Sequence, residues 1–541
     1  MRLTPGTMAR RAATIPGNLQ NVASALDRSV AATPDAEALV SRYGRFNYRD
    51  LDKAIDAGAA ALVARGVQPG DRIAASAGNH VDIVIAFFAA QRLGAIWVGI
   101  SRALAAPEKV YQLQDAGVRL LLTDAAAAEQ IAAHRSELPA LEHVIDMEPG
   151  ETPNEWLRLV AQHDGAARPA VAIDSHAPAG IAYTSGTTGR PKGAVHSQHN
   201  MAMVAAATLS GLRGPQWHPG IRQGVTHALT TLNMMILDPV TALAGGGTCI
   251  CMDRADAIGI AEWTAREKVE HFVAAPATMF DLLTKPEIDP ASLASLRFAT
   301  SGGANVPDEI RKLYAERFGM PLVAGYGLTE APTAVAENPI DQPFLPGACG
   351  RAYAHLKIVA LDREDRELPS GEAGEIAIRA AESGDWAGVY TPMLGYWGRP
   401  EASAETLRNG WLHTGDIGTV DAEGNIFIKD RLKELIIRGS ANIYPAEIER
   451  VLMAHPRVRG AAVVGKPDQR LGETVAAFVE TSDGATSDDA LQEELRAACA
   501  QELARYKVPE HWFFLAEMPR NAMNKILKNE LRDRLRLTTE A

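Results

Sequence analysis

The chain contains 541 residues, which exceeds the size at which one hydrophobic core keeps growing, so several structural units are expected. Apolar residues make up 47% and charged residues 22% of the chain, which excludes a mainly disordered or collagen-like protein. Its 54 basic and 66 acidic residues give a net charge of −12, so no overall positive field exists to bind nucleic acid or an anionic membrane. Anionic ligands would need local positive sites.

The longest apolar stretch of the first half, residues 83–90, is far shorter than the roughly 18 residues that a membrane-spanning helix needs. Arginines near the amino terminus are followed by glycine and proline rather than by an apolar block, so no signal peptide is expected. These patterns predict a cytoplasmic protein without an integral membrane segment. Four cysteines are too few for a disulfide framework at this size, and we interpret them as core thiols: Cys249, Cys251, Cys349 and Cys499.

Helical and extended patterns alternate between about residues 18 and 180, which is typical of layered α/β structure. A strand-helix-strand pattern at its end predicts that part of the sheet is parallel. In chain order, helical patterns cover 21–33, 48–65, 80–93 and 107–116, and extended patterns cover 38–40, 72–75, 95–100 and 118–122.

From Gly371 onward the pattern changes to short extended runs with turn signals, which predicts a small β-rich subdomain; the runs are 375–379, 411–414 and 425–428. The carboxy-terminal part follows the order strand, helix, strand, strand, helix. Residues 460–467 have the spacing of a Walker loop, but Pro467 stands where a hydroxyl is required, so we predict a core strand. The domain boundary is predicted at Lys433, with a large domain over 1–432 and a small domain over 433–541.

The strongest local signal follows the apolar run 180–183, where residues 184–193 combine four hydroxyls, three glycines and two cations. Glycines let backbone N–H groups turn toward an anion, hydroxyls add donors, and Lys192 supplies a positive charge. A Ser/Gly linker is the alternative, but Pro191 and the extended patterns on both sides favour a fixed hairpin-like loop. The pattern predicts triphosphate binding by Thr184, Ser185, Gly186, Thr187, Thr188, Gly189 and Lys192.

Further motifs follow the loop in order along the chain. This collinear set resembles the superfamily of adenylate-forming enzymes, which includes acyl-CoA synthetases, firefly luciferase and the adenylation domains of peptide synthetases, and we place the chain in the acyl-CoA synthetase branch. The resemblance implies an α/β fold with a large N-terminal domain of layered sheets and helices, a small β-rich subdomain, and a small mobile α+β C-terminal domain joined by a hinge at Lys433. The motifs are 301–304, 325–330, 395–397, 410–416, 431–433, 442–445 and Lys525.

The activity implied by the resemblance is that of an ATP-dependent, AMP-forming carboxylic acid:CoA ligase. It implies ATP, Mg²⁺ and coenzyme A as cofactors and a small-molecule carboxylic acid as partner, and it is compatible with a homo-oligomer. One alternative is an enzyme that passes the acyl group to a carrier-protein thiol or oxidises the adenylate. A non-catalytic nucleotide-binding protein is the other, although such a protein would not need Lys525.

Site residues are implied by the same resemblance. Tyr326 would face adenine, Asp416 would accept hydrogen bonds from the ribose hydroxyls, and Glu330 would bind Mg²⁺. Lys525 would bridge the carboxylate and phosphate oxygens, and Gly439 would let pantetheine pass close to the backbone. The implied catalytic residues are Lys525, Thr329, Glu330 and Lys192, and the further nucleotide-binding residues are Gly302, Gly303, Ala304, Gly325, Gly327 and Arg431.

Some positions depart from the family pattern. Asp430 and Asn524 stand where relatives usually have glycine before Arg431 and Lys525, and Ser440 replaces the second glycine after Gly439. The histidine that many acyl-CoA synthetases carry before the acyl pocket is missing from the segment 228–237, and no acidic residue lies within its apolar run, which disfavours an α-amino acid substrate. Methionines in and near this segment suggest either an adaptable apolar pocket or ordinary core.

Overall fold

The computed structural model describes residues 12–17, 19–184, 190–210, 216–302, 306, 308–340, 342–343, 345–431, 436–439, 441–443, 445–481, 488–519, 526 and 528–539. Several predicted site residues lie outside this part of the chain: Ser185, Gly186, Thr187, Thr188, Gly189, Gly303, Ala304, Lys433 and Lys525. We call residues 12–431 the large domain and residues 436–539 the small domain.

The strands of the large domain are β1 (Glu37–Val40), β2 (Arg45–Asn47), β3 (Arg72–Ser76), β4 (Ile96–Gly99), β5 (Leu120–Thr123), β6 (His143–Asp146), β7 (Pro178–Thr184), β8 (Lys192–Ser197), β9 (Arg222–Val225), β10 (Thr248–Cys251), β11 (His271–Ala274), β12 (Phe298–Gly302), β13 (Leu322–Leu328), β14 (Thr333–Glu337), β15 (Gly350–Ala352), β16 (Leu356–Leu361), β17 (Gly374–Ala380), β18 (Gly395–Tyr396), β19 (Leu412–Val420) and β20 (Asn425–Arg431). Its helices are α1 (Asp27–Ala32), α2 (Tyr48–Ala64), α3 (Val81–Arg92), α4 (Ala106–Ala116), α5 (Ala125–Ala132), α6 (Glu155–Gln162), α7 (Gln198–Ser210), α8 (Leu232–Met235), α9 (Thr241–Ala244), α10 (Ala257–Glu267), α11 (Pro276–Thr284), α12 (Asp308–Phe318) and α13 (Pro400–Thr406).

The small domain contains β21 (Ile436–Arg438), β22 (Ala441–Ile443), α14 (Pro445–Met453), β23 (Val458–Asp468), β24 (Gly472–Thr481), α15 (Asp489–Glu502), β25 (His511–Leu515) and α16 (Lys528–Thr539). Its described strands form a five-stranded sheet in which β21, β22, β23 and β24 pair antiparallel and β25 pairs parallel with β24. The α+β prediction for this domain is confirmed, and residues 460–467 lie in the predicted core strand.

Two sheets form the large domain among its described residues. One has 13 strands, in the order β16-β17-β19-β20-β15-β14-β13-β12-β11-β9-β10-β1-β2, and the other has seven, in the order β18-β8-β7-β4-β3-β5-β6. Strands β4 and β5 both pair parallel with β3, which confirms the predicted parallel crossover. The β-rich region predicted after Gly371 is present as antiparallel strands that extend the 13-stranded sheet through β15.

The main core lies around helices that are covered by both large sheets. All twelve residues of α3 are buried, as expected for a helix that is apolar around most of its circumference. Its one buried guanidinium, Arg92, is paired with Asp52 and Asp56 of α2, which satisfies the charge. The helix predicted over 21–33 is divided into a short 3-10 turn, Val22–Ser24, and α1; the Asn21 side chain caps the start of the turn by accepting a hydrogen bond from the Ser24 amide.

Helices of the described chain do not combine the length and the apolar character needed to cross a bilayer. Between the domains, Lys507 of the small domain contacts Glu108 of α4, and Arg470 lies 3.6 Å from Asp281 of α11.

His355 is a buried, neutral histidine packed among aromatic rings. It is 1% exposed, and its ring centroid lies 5.8 Å from those of Trp386 and Tyr390. Neither ring nitrogen has a hydrogen-bond partner among the described residues. Burial lowers the pKa of His355 to about 3, so the folded protein resists protonation that the unfolded chain accepts near pH 6.5.

Replacing His355 by Phe should reduce the loss of stability in acid. Between pH 6.5 and 3 the unfolded chain binds a proton at this histidine that the folded protein does not bind. The free energy of unfolding therefore falls by about 1.4 kcal/mol for each unit by which the pH is lowered in this range. Urea unfolding at pH 7.0, 5.5 and 4.5 should give a shallower pH slope for His355→Phe than for the wild type. The same substitution at His143, on the edge strand β6, is the control, and equal slopes for all three proteins would contradict the prediction.

Candidate active site

The predicted phosphate loop connects two antiparallel strands. Thr184 at the end of β7 pairs with Lys192 at the start of β8, so the loop begins and ends at neighbouring positions. Helix α4 holds both ends: the Tyr183 hydroxyl donates to Asp115 Oδ2 at 2.8 Å, and the Tyr111 hydroxyl donates to the Pro191 carbonyl at 3.0 Å. Burial beside Asp115 raises the pKa of Tyr183, which keeps this phenol protonated as a donor. The hairpin-like geometry predicted for the loop is therefore present in its flanking strands.

Glu330 lies directly against this hairpin. It follows β13 in a turn, and its backbone carbonyl accepts a hydrogen bond from the Met393 amide at 2.9 Å. Its carboxylate Oε1 accepts a hydrogen bond from the Tyr396 hydroxyl at 2.7 Å and lies 3.4 Å from the Thr184 hydroxyl, which also donates to it. The Lys192 ammonium lies 5.1 Å from the centre of the Tyr396 ring. The structure thus brings Thr184, Lys192 and Glu330 together, as the motifs predicted, and places Tyr396 between them.

The glycine motifs lie at the carboxyl ends of neighbouring parallel strands. Gly302 at the end of β12 pairs with Gly325 in β13, and Tyr326 and Gly327 follow in the same strand. This edge is where ligands of open α/β sheets bind. The Tyr326 hydroxyl donates to Asp416 Oδ2 at 2.6 Å, and Asp416 is 2% exposed. The pair joins two motifs that lie 90 residues apart.

Asp416 also faces the end of β20. In the β19–β20 ladder, Asp416 pairs with Arg431, so the backbone brings the two predicted nucleotide-binding positions opposite each other.

Thr329 connects the nucleotide motifs with the acyl segment 228–237. Its hydroxyl accepts a hydrogen bond from the Asn233 side-chain amide at 3.2 Å. Asn233 is in α8, in the segment where relatives carry the missing histidine, and its amide oxygen has no hydrogen-bond partner among the described residues. The acyl segment therefore reaches the residue next to Glu330.

The backbone of the acyl segment packs on β4 without an intervening side chain. A Cβ added to Gly99 would lie 1.8 Å from the Thr230 carbonyl oxygen, so only glycine allows this approach. Met235 and Met279 are fully buried in two separate hydrophobic clusters, whereas Met234 and Phe280 are partly exposed. Asp238 is buried and accepts a hydrogen bond from the Gln223 side chain at 2.6 Å, so it belongs to the core.

Gly439 lies where the small domain approaches the large domain. Its φ is +62°, in the left-handed region that favours glycine, and its amide donates to the Leu471 carbonyl at 2.7 Å. The neighbouring Arg470 contacts Asp281 of α11, one residue after Phe280. The face of the small domain that carries Gly439 is therefore turned toward α11 of the large domain.

Three residues that the motifs did not single out complete this arrangement. Tyr396 belongs to the motif 395–397, which assigns it no role, and Asp115 and Tyr111 belong to no motif. Tyr111 and Asp115 are four residues apart in α4, so helical spacing predicts that they lie on one face of that helix. The spacing does not indicate which strand this face contacts.

Comparison with known proteins identifies the family of the chain. The family model described as AMP-binding enzyme matches residues 26–397, and the model described as AMP-binding enzyme C-terminal domain matches residues 447–525. A long-chain-fatty-acid–CoA ligase of Mycobacterium tuberculosis is 33% identical over 536 residues, covering 96% of this chain and 99% of that protein. A feruloyl-CoA synthase of Amycolatopsis sp. is 33% identical over 517 residues, covering 94% of this chain and 97% of that protein.

The fold has a similar counterpart among solved structures. An o-succinylbenzoate CoA synthetase from Bacillus subtilis, bound with a product analogue, superimposes with a TM-score of 0.80 and 27% identity, covering 94% of this chain and 98% of that one. The two family models match parts of both domains. The chain therefore belongs to the AMP-binding enzyme family, in the acyl-CoA synthetase branch of the adenylate-forming enzymes.

Proposed function

We propose that this AMP-forming acid:CoA ligase forms its acyl-adenylate beside the β7–β8 hairpin, in the cleft between Glu330 and Asp416. A carboxylate oxygen of the acid attacks the α-phosphorus of ATP, and the bond to pyrophosphate breaks. The thiol of coenzyme A then attacks the adenylate carbonyl, and AMP leaves. The observation that carries the proposal is the assembly of Thr184, Lys192 and Glu330 around Tyr396.

Nucleotide binding is assigned to the edge formed by β12, β13 and β19. Asp416 accepts hydrogen bonds from the ribose, and its bond to Tyr326 fixes the carboxylate for that purpose. Tyr326 presents its ring to adenine, and Gly302, Gly325 and Gly327 leave room for the base. The backbone N–H groups and hydroxyls of the loop 185–189 bind the phosphates, together with Gly303 and Ala304.

The first step joins two anions, so its barrier is chiefly electrostatic. Lys192 neutralises phosphate charge, and Thr184, whose hydroxyl donates to Glu330 Oε1, holds that carboxylate beside the loop. Glu330 fits Mg²⁺, which prefers hard oxygen ligands and commonly takes one or two carboxylates besides phosphate and water. Both hydrogen bonds to its carboxylate from described residues use Oε1, so Oε2 is available to a cation. When bound there, Mg²⁺ would supply charge neutralisation on the phosphates.

Lys525 supplies the remaining positive charge in the first step, bridging the attacking carboxylate and the α-phosphate. For the second step the small domain turns about a hinge at Lys433, and Gly439 lines the passage of the pantetheine arm. The described contacts turn the face with Gly439 toward α11, which supports this orientation as the one for the thiol step.

The acid is proposed to have an apolar body, fatty or aromatic. The segment beside Thr329 is apolar, and Asp238, the acidic residue nearest to it, is hydrogen bonded within the core rather than available to an amine. Pyrophosphate release should be measured across a panel of fatty, aromatic and amino acids, with and without coenzyme A. CoA-dependent AMP release with an apolar acid is the expected result. AMP release that needs a carrier protein instead, or no pyrophosphate with any acid, would contradict the proposal.

Replacing Asp416 by Ala should weaken ATP binding by about 10-fold to 150-fold, the effect of removing hydrogen bonds to a charged group worth about 1.5–3 kcal/mol. Isothermal titration calorimetry with ATP, in the absence of the acid, measures this directly. Glu423→Ala, at an exposed position of the turn between β19 and β20, is the matched control. Unchanged affinity of the Asp416 variant would refute the ribose assignment.

Replacing Lys525 by Ala should slow pyrophosphate release by about 10²-fold to 10³-fold, the usual effect of removing one preorganised donor. Thioester formation from supplied acyl-adenylate and coenzyme A should remain near wild type, because Lys525 is away from the cleft in that step. Lys528→Ala is the control, since Lys528 pairs with Glu449 within the small domain at 2.7 Å. Equal loss of both half-reactions would be incompatible with this role.

Lys507 holds the small domain in the described orientation. Its ammonium lies 2.6 Å from Glu108 Oε1 of α4 and 2.7 Å from Glu447 Oε2 of α14, and its side chain is 6% exposed. Burial alone would lower the pKa of Lys507, but the two carboxylates raise it above its ordinary value, so the ammonium stays charged.

Replacing Lys507 by Met should release the small domain, because it leaves the buried Glu447 carboxylate and the largely buried Glu108 carboxylate without a cation, at a cost of about 3–5 kcal/mol. Small-angle X-ray scattering should show a larger radius of gyration, and the thiol step should slow more than adenylate formation. Arg505→Met, an exposed arginine in the same short turn, is the control. A radius of gyration that is identical for all three proteins would show that the ion pairs do not set the orientation.

A further inference from the structure

The phenol of Tyr396 lies between two groups of opposite charge. Its hydroxyl donates to Glu330 Oε1 at 2.7 Å, and the Lys192 ammonium lies 5.1 Å from the centre of its ring. Lys192 makes no ion pair with a carboxylate among the described residues, although Glu330 contacts the hydroxyl of the same ring. Tyr396 therefore contacts the carboxylate through its hydroxyl and the ammonium through its aromatic ring.

The backbone fixes Tyr396 in this place. Tyr396 pairs with Ala194 in β8, two residues after Lys192, and its amide donates to the Ser403 hydroxyl at 2.8 Å. The next residue, Trp397, donates its amide to the Gly193 carbonyl at 2.7 Å. Tyr396 as a whole residue is 7% exposed. A tyrosine held on both sides by backbone hydrogen bonds has little freedom to leave its two charged neighbours.

A direct ion pair would be unfavourable for the reaction. If Lys192 formed an ion pair with Glu330, the attraction of the ammonium for phosphate and the attraction of the carboxylate for a cation would both be weakened. The aromatic face attracts the ammonium without neutralising it, and the O–H group occupies one carboxylate oxygen while leaving the other.

We propose that Tyr396 is a positioning residue that keeps the Lys192 ammonium and the Glu330 carboxylate apart and oriented, so that one serves the phosphates and the other a divalent cation. The inference rests on the proposed function of this cleft. It assigns to Tyr396 no contact with the reacting atoms. Its effect is on the orientation of two groups that make those contacts.

Two substitutions distinguish the contribution of the Tyr396 hydroxyl from that of its aromatic ring. Tyr396→Phe keeps the ring beside Lys192 but removes the hydrogen bond to Glu330, so binding of a divalent cation with nucleotide should weaken by about tenfold. Tyr396→Leu also removes the aromatic face, so the KM for ATP should rise by a further factor of about 2–5. Tyr390→Phe is the matched control, because Tyr390 is equally buried and its hydroxyl has no hydrogen-bond partner among the described residues.

The primary measurement is binding of Mn²⁺, followed by electron paramagnetic resonance, to the full chain saturated with α,β-methylene-ATP. It is accompanied by the Mg²⁺ dependence of pyrophosphate release with an acid that the panel identifies. Weaker Mn²⁺ binding in Tyr396→Phe, unchanged binding in Tyr390→Phe, and recovery of pyrophosphate release at high Mg²⁺ would support the inference.

Mn²⁺ binding by Tyr396→Phe that equals the wild type would overturn it, even if the melting temperature falls, because a purely structural role would lower stability without changing cation affinity. Glu330→Gln distinguishes this failure from failure of the proposed function. If Glu330→Gln weakens Mn²⁺ binding and Tyr396→Phe does not, only the positioning role is wrong. If neither variant changes Mn²⁺ binding, the cation assignment of Glu330 and the role of Tyr396 are both wrong.

Discussion

The antiparallel pairing of β7 with β8 is the constraint on which the cleft depends. Three backbone hydrogen bonds from the segment 393–397 join this hairpin to the turn that carries Glu330: the Trp397 amide donates to the Gly193 carbonyl, the Leu394 amide to the Val195 carbonyl, and the Met393 amide to the Glu330 carbonyl. The positions of the loop lysine and the carboxylate are consequently determined by main-chain hydrogen bonds. Side chains at these positions can therefore be substituted without breaking the main-chain hydrogen bonds that position the backbone.

The second constraint is electrostatic and lies between the domains. A lysine enclosed by carboxylates from both domains is stable only when all three groups are in contact, so it favours one discrete orientation over a range of intermediate ones. Helix α4 takes part in both constraints, because Glu108 contacts Lys507 and Tyr111, three residues later, contacts Pro191 of the loop. The domain interface and the rim of the phosphate loop therefore share one rigid element.

Much of the local structure could be predicted from sequence patterns, and much of the pairing could not. The helices α2 and α4, the strand β23 and the flanks of the phosphate loop follow from apolar periodicity and turn residues. The strands after Gly371 were equally visible, but a local pattern does not indicate which neighbour a strand pairs with, so their union with the 13-stranded sheet appears only in the structure.

The same distinction applies to the candidate site. Motifs indicated that Glu330, Asp416 and Lys192 have suitable chemistry, because residue type and spacing carry that information. They could not indicate that the phenols of Tyr396 and Tyr326 orient these carboxylates, since each hydrogen bond joins residues 66 or 90 positions apart. The roles of Ser185 to Gly189 and of Lys525 stay predictions from the motifs, as these residues lie outside the described chain.

The close approach of Gly99 to the Thr230 carbonyl bears on how this enzyme could acquire a preference for a different acid. Any side chain at position 99 would have to displace the main chain of the acyl segment, so the spacing between β4 and this segment cannot be adjusted by substitution there. On the proposed function, a change of substrate preference would come through the partly exposed side chains of the segment, such as Asn233 and Met234. A library that randomises these positions while retaining glycine at 99 would explore substrate range without sacrificing the scaffold.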